Sequence, residues 1–222
     1  MNEKVEKVIS GLREHYPIIK PGLDHDTPLQ LLISTVLSAQ STDKSVNKVT
    51  EGFYKKYPDL QSLLTLEREE IEENIKEIGI YRNKSKNIYK LLRIIDEKFH
   101  GEVPSNMEDL MLLPGVGRKT ASVVLAVAFE KPAFPVDTHV YRICRRIGFT
   151  KSKTPDKVSD DMMEIIPKEN WIEFHHLLIN HGRNICKARK AECIKCKIER
   201  YCERVGVKWN FIIKILKLPL DI

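Results

Sequence analysis

Lys119 stands two residues past a Gly-x-Gly turn, in the stretch Leu113-Pro114-Gly115-Val116-Gly117-Arg118-Lys119-Thr120-Ala121. Pro114 biases Leu113 away from the α conformation, so a helix ends before it. Gly115 and Gly117 let the backbone turn sharply and come close to another molecule. A second helix then begins, with Lys119 in its first turn and exposed N–H groups that can hold a phosphate. A lysine nucleophile must be neutral, a state favoured by the positive end of a helix dipole and by burial in a cleft. Such an amine can attack an electrophilic carbon and form a Schiff base. The plainer alternative is a solvent-exposed or phosphate-binding lysine.

Asp137 follows eighteen residues later, at the start of the next helix. Aspartate is among the best N-caps, which by itself accounts for it there. A carboxylate projecting toward the hairpin would in addition stabilise positive charge at a reacting carbon, or help move a proton.

Four of the five cysteines crowd the C-terminal part, as Cys186-x6-Cys193-x2-Cys196-x5-Cys202; only Cys144 stands apart. Four thiolates so spaced can converge on one centre. Zinc is the first rival, since Cys₄ is a common structural zinc site, although zinc ribbons pair two short Cys-x-x-Cys knuckles and only one exists here. Spacing leans toward iron–sulfur and leaves zinc open, with coincidentally buried cysteines a third reading. His175, His176 and His181 lack a matching second motif and read as helix residues, and Met162-Met163 reads as core.

The chain carries a formal +6, and the segment from His181 to Val205 holds eight Lys/Arg against three Glu, a local +5. A basic surface of that kind suits a polyanion, through phosphate neutralisation and counterion release. A solvated surface is the alternative. Cysteines in a chain that opens on Met1-Asn2-Glu3-Lys4, with no secretion signal, argue against a disulfide framework. No run of eighteen apolar residues occurs, so no membrane span is expected and the default location is cytoplasmic.

Helical spacing dominates the elements that must position these groups. Val5, Val8, Ile9 and Leu12 form one face of a helix over 3–16. Thr27-Pro28-Leu29-Gln30 predicts a capping box before an apolar helix that ends near Gln40. Helices are expected to about Tyr57, near 59–64 and 67–77, over 82–99, over 118–130, from Asp137 to about Ile147, from Thr154-Pro155, and over 169–182. Ser105-x-x-Glu108 predicts the cap of the first hairpin helix. No alternating strand pattern appears, so the fold class is all-α. No linker divides the chain, so two lobes would share elements from both ends.

Together these pieces resemble the endonuclease III family of helix-hairpin-helix DNA glycosylases. The likeness lies in the hairpin stretch 113–121, in Val136-Asp137-Thr138-His139, in the spacing of the four cysteines, and in Leu37-Ser38-Ala39-Gln40-Ser41-Thr42-Asp43. It covers roughly residues 5 to 205 and implies two helical lobes with a DNA-binding cleft between them. A six-helix lobe would take 22–132, with the helix-hairpin-helix at about 106–130. A cluster lobe would combine 1–21 with 133–222, its cluster loop at 186–202. By the resemblance Lys119 is the nucleophile and Asp137 assists base departure and proton transfers. One 4Fe–4S cluster would sit on Cys186, Cys193, Cys196 and Cys202. Gln40 and Ile80 would fill or wedge the stack vacated by a flipped base. Gly115, Val116, Gly117 and Arg118, with Lys187, Arg189 and Lys190, would contact DNA. The implied activity is a bifunctional N-glycosylase and abasic-site lyase acting on oxidised pyrimidines in duplex DNA, as a monomer, nucleoid-associated when bound. Lys119 weighs against the related monofunctional mismatch or adenine glycosylases. A non-catalytic DNA-binding iron–sulfur protein would need only hairpin, cluster and charge. The apolar stretch from Trp209 to Leu220 is longer than the resemblance leads one to expect.

Overall fold

The computed structural model describes residues 3–18 and 22–207; the apolar C-terminal stretch from Trp209 lies outside the described residues. Among the described residues there are eleven α-helices and three short 3₁₀ turns, with no strand and one isolated bridge between Cys186 and Ala191. No helix among them is long and apolar enough to cross a membrane. The fold is all-α and has two lobes, each around its own core.

The first core is built by α2 (Pro28–Leu37), α3 (Asp43–Lys56), α4 (Leu60–Leu64), α5 (Arg68–Ile75), α6 (Tyr81–Phe99), α7 (Met107–Met111) and α8 (Arg118–Ala128). In α6, Ile88, Leu91, Leu92 and Ile95 recur at helical spacing and are all fully buried. Burial of each such side chain contributes about 1.5–3 kcal/mol. Seven helical segments stand here where the resemblance implies six, because Asp59 and Ser62 close a capping box of their own around the five-residue α4.

The second core takes α1 (Glu3–His15) from one end of the chain. It adds α9 (Thr138–Ile147), α10 (Pro155–Ile165) and α11 (Trp171–Asn184) from the other. Val5, Val8, Ile9 and Leu12 pack with Phe134, Ile143, Phe174, Leu177 and Ile198. Helices far apart in the sequence thus make one lobe. Met162 is fully buried in it. Arg183–Asp43 at 2.7 Å and an Arg118–Asp160 pair tie the lobes together.

Several local expectations shift. Thr27 does cap α2, accepting from the Gln30 N–H at 3.2 Å, but the Gln30 side chain reaches past it to the Asp26 N–H at 2.8 Å. The cap of α7 is Asn106, not Ser105: its Oδ1 accepts from the Asp109 N–H at 2.9 Å. Amide and carboxylate oxygens lead hydroxyls only slightly as caps, so register decided between these neighbours. The helix expected to end near Gln40 stops at Leu37, because residues 38–41 close a tight turn through Ser41 N–H to Ser38 O at 3.0 Å. The second hairpin helix likewise ends at Ala128, ahead of a left-handed Glu130.

Phe174 is fully buried, with its ring centroid 6.3 Å from both Phe134 and Phe149. Phe174→Ala removes this aromatic contact and leaves a cavity, a loss of about 3–5 kcal/mol. Urea denaturation followed by circular dichroism should register a lower midpoint for the variant.

Candidate active site

Lys119 and Asp137 each stand at the start of a helix, one in each lobe. Gly115 turns the chain into α8 with φ +81°, and a side chain there would strike Asn87 at 2.9 Å. Gly117, the N-cap, has φ −97° and open space around it, so it leaves room for a close approach from outside. No side chain caps α8. Its first N–H groups and its dipole therefore face outward, the arrangement that attracts an anion. Lys119, in that first turn, is exposed and makes no ion pair or hydrogen bond among the described residues. The expected helix terminus is present, while the expected burial is not.

Asp137 caps α9: its Oδ1 accepts from the Val140 N–H at 2.7 Å. The other carboxylate oxygen has no hydrogen-bond partner among the described residues, and the side chain is half-buried. Capping and an available oxygen coexist. The preceding segment 133–136 is buried and pinned from two sides. Ser159 Oγ donates to Phe134 O at 2.7 Å, and His175 Nδ1 donates to Pro135 O at 2.8 Å. The carbonyl can only accept, so Nδ1 carries the proton. Burial, reinforced by the neighbouring His176, pushes the His175 imidazole well below its usual range and keeps it neutral at pH 7.

Both groups line one cavity between the lobes, together with Ser38, Asp43, His175 and Arg183. A more open groove continues from it past His139 and Lys153, sharing Lys119, Asp137, Ser38, Asp43 and Arg183. Ser38, Asp43, His175 and Arg183 were not singled out from the sequence as site residues. Ser38 and Asp43 lie in the stretch 37–43 that carries the resemblance but have no role assigned there, Arg183 is one charge in a basic run, and His175 reads as a helix residue. Their common signal is tertiary. Gly182 allows α11 to press on α9, since a side chain there would meet His139 Nδ1 at 2.6 Å, and this approach brings Arg183 to the cavity.

Gln40 and Ile80 sit on neighbouring tips, both left-handed, at φ 57° and 59°. For a β-branched residue that backbone is a genuine outlier, and Ile80 is also 54 % exposed. The remaining candidates for DNA contact divide. Val116 is buried in the first core and its N–H is spent on Leu113 O at 3.1 Å, so its side chain faces inward, because the hairpin turn needs an apolar anchor. Arg118 is held by Asp160 from the other lobe, and Lys187 by Glu192 at 2.9 Å. Neither is therefore a free cation. Arg189 and Lys190 are exposed and make no ion pair among the described residues.

The four clustered thiols occupy a second cavity, in the second lobe, lined also by Arg146, His181 and Arg204. All are free, and Cys144 is buried apart from them. Burial pushes the Cys196 thiol up to about 12, with Cys202, Cys186 and Cys193 adding to the effect. Burial likewise raises Cys193 and Cys202, and a bound cation is what would favour thiolates at such places. Among the described residues no three His, Cys, Asp or Glu side chains are drawn together closely enough to hold a metal ion as they stand. The fit lies in the donor set: four free thiols on one cavity, with Arg146 Nη1 donating to Cys186 Sγ at 3.3 Å. His181 is in contact too, its Nε2 at 3.5 Å from Cys196 Sγ.

Residues 33–168 match the HhH-GPD superfamily of base excision DNA repair proteins. Endonuclease III of Synechocystis is 46 % identical over 201 residues, covering 90 % of this chain and 92 % of its own. A solved structure of a trapped endonuclease III–DNA covalent intermediate superposes with a TM-score of 0.86 at 42 % identity, covering 92 % of this chain and 97 % of the other. A thermostable thymine-DNA glycosylase is similar at TM-score 0.82 and 26 % identity, over 91 % and 97 % of the two chains. With the hairpin, the capped aspartate and the four-thiol cavity in one all-α frame, the chain belongs to the endonuclease III family, within the HhH-GPD superfamily of base excision DNA repair proteins.

Proposed function

We propose that this DNA glycosylase is bifunctional, excising oxidised pyrimidines from duplex DNA and cutting the strand at the resulting abasic site. One observation carries the reading: an unpaired lysine on an uncapped helix N-terminus shares a cavity with a carboxylate that keeps one oxygen free. The damaged nucleotide would be flipped into this cavity, since its sugar carbon is out of reach inside the stack and a damaged base costs less to unstack. The outward N–H groups around Gly115 and Gly117 would hold a backbone phosphate, and Arg189 and Lys190 would add contacts.

Lys119 Nζ then attacks C1′. The N–C bond to lysine forms as the glycosidic bond breaks, and the base leaves with its electron pair and a proton. The sugar ring opens to a protonated Schiff base. Loss of a proton from C2′ expels the 3′ oxygen with its phosphate, and water releases the lysine. Asp137, beside the reacting carbon, offsets its positive charge and relays protons. Lys119 is what separates this reading from a monofunctional glycosylase.

Cys186, Cys193, Cys196 and Cys202 would hold one 4Fe–4S cluster, four thiolates being its usual ligand set, with Arg146 offsetting its negative charge. When bound, the cluster supplies a structural anchor for the basic loop. The catalytic groups belong to the other cavity, and the protein acts on DNA as a monomer.

Three outcomes follow. Borohydride added to the protein and a duplex with one oxidised pyrimidine should trap a covalent adduct, absent in Lys119→Ala; base release without an adduct would make the enzyme monofunctional. Asp137→Asn keeps a good N-cap and loses the charge, so thermal stability should hold while single-turnover excision falls by about 100-fold or more. Cys196→Ser should leave purified protein without the equal iron and acid-labile sulfide of the parent; zinc in the parent instead would displace the cluster reading.

A further inference from the structure

Lys84 is a buried cation with no carboxylate partner among the described residues. It is 5 % exposed and stands in the first turn of α6, where the helix dipole disfavours positive charge. Burial lowers its basicity further. A charge kept at such a place must be held by good acceptors. Its Nζ donates to Leu37 O at 2.9 Å, a carbonyl at the C-terminal, negative end of α2, and to Ser41 Oγ at 3.0 Å. These acceptors lie on either side of Gln40. Its own backbone N–H donates to Ile80 O at 3.2 Å. The two tips already lie close, since a side chain on Gly79 would come within 3.9 Å of Gln40 O.

The main-chain bond is the ordinary first-turn bond of α6, so what joins the tips is the side chain: Lys84 stands one turn behind Ile80 on α6 and reaches across to the residues on either side of Gln40. Left-handed backbone at non-glycine residues persists only where its surroundings over-determine it. We propose that Lys84 is the positioning residue that locks Gln40 and Ile80 into a single two-pronged unit, so that both enter the DNA stack together when a nucleotide leaves it. The inference rests on the stack-filling role of those two residues. Lys84 touches neither substrate nor reacting atoms.

The test uses full-length protein and two substrates: a duplex with one oxidised pyrimidine, and a single-stranded oligonucleotide with one abasic site, where no stack needs filling. Lys84→Met should lower single-turnover excision from the duplex by about 100-fold, the scale of a misplaced positioning group. It should leave borohydride trapping on the single strand unchanged, and add no further loss in a Gln40→Ala, Ile80→Ala background. Ser41→Ala, which removes one bond without stranding a charge, should lose less in the same pattern. Equal loss on both substrates, or full additivity with the double variant, would overturn the proposal as mere damage to the fold. Normal duplex activity in Lys84→Met beside an impaired double variant would overturn the proposal alone. Normal duplex activity in the double variant would overturn the stack-filling role beneath it.

Discussion

The grip of α9 on the loop after α11 holds the second lobe in register. Arg142 donates to Cys186 O at 3.0 Å and to Gly182 O at 3.2 Å, while Arg146 donates to Lys187 O at 2.9 Å and Ala188 O at 2.8 Å. Arg146 is itself almost fully buried. Arginine suits this task because its planar fork can satisfy several carbonyls at once and keeps its charge throughout. The same helix begins at Asp137. A ten-residue rod thus carries the proposed catalytic carboxylate at one end and the anchor of the thiol loop further along. Disturbing the loop would tilt the rod, and the carboxylate with it.

The proposed nucleophile sits on the opposite lobe. Lys119 rides on α8, which packs on α2 in the first core, so its distance from Asp137 is set by how the lobes meet. The ties across that seam are partly ionic. Exposed pairs such as Arg183–Asp43 contribute little stability and weaken with salt. Ile172, on α11, packs against the first core and supplies an apolar contact that salt does not screen. A cleft closed partly by weak, screened pairs can open at little cost.

Much of the fold was legible because its signals are local. Helical spacing along α6, Pro28 behind Thr27 and Asp137 before its helix each follow from residues within one or two turns, and each recurs in the structure. The misses are also physical. Asn106 displaced Ser105 because adjacent polar residues compete for one cap. The Val116 side chain anchors the hairpin turn in the first core, a burial that no local pattern announces. That Asp160 reaches Arg118 and Glu192 reaches Lys187 is likewise a matter of tertiary structure, and it leaves their expected contact with DNA undecided.

The sequence by itself determined the helices, the Gly-x-Gly hairpin, the cap at Asp137 and the family, since each depends on residue types at short fixed spacing. Only the tertiary structure decided which side chains share the cavity. Asp43 reaches Lys119 and Asp137 from α3, and His175 and Arg183 reach them from α11. Nor could spacing announce Lys84, forty-seven residues beyond the Leu37 carbonyl it holds. The reason is one of range: caps and periodicity act within a turn or two of chain, whereas burial and charge pairing act between surfaces that meet only after both cores have formed.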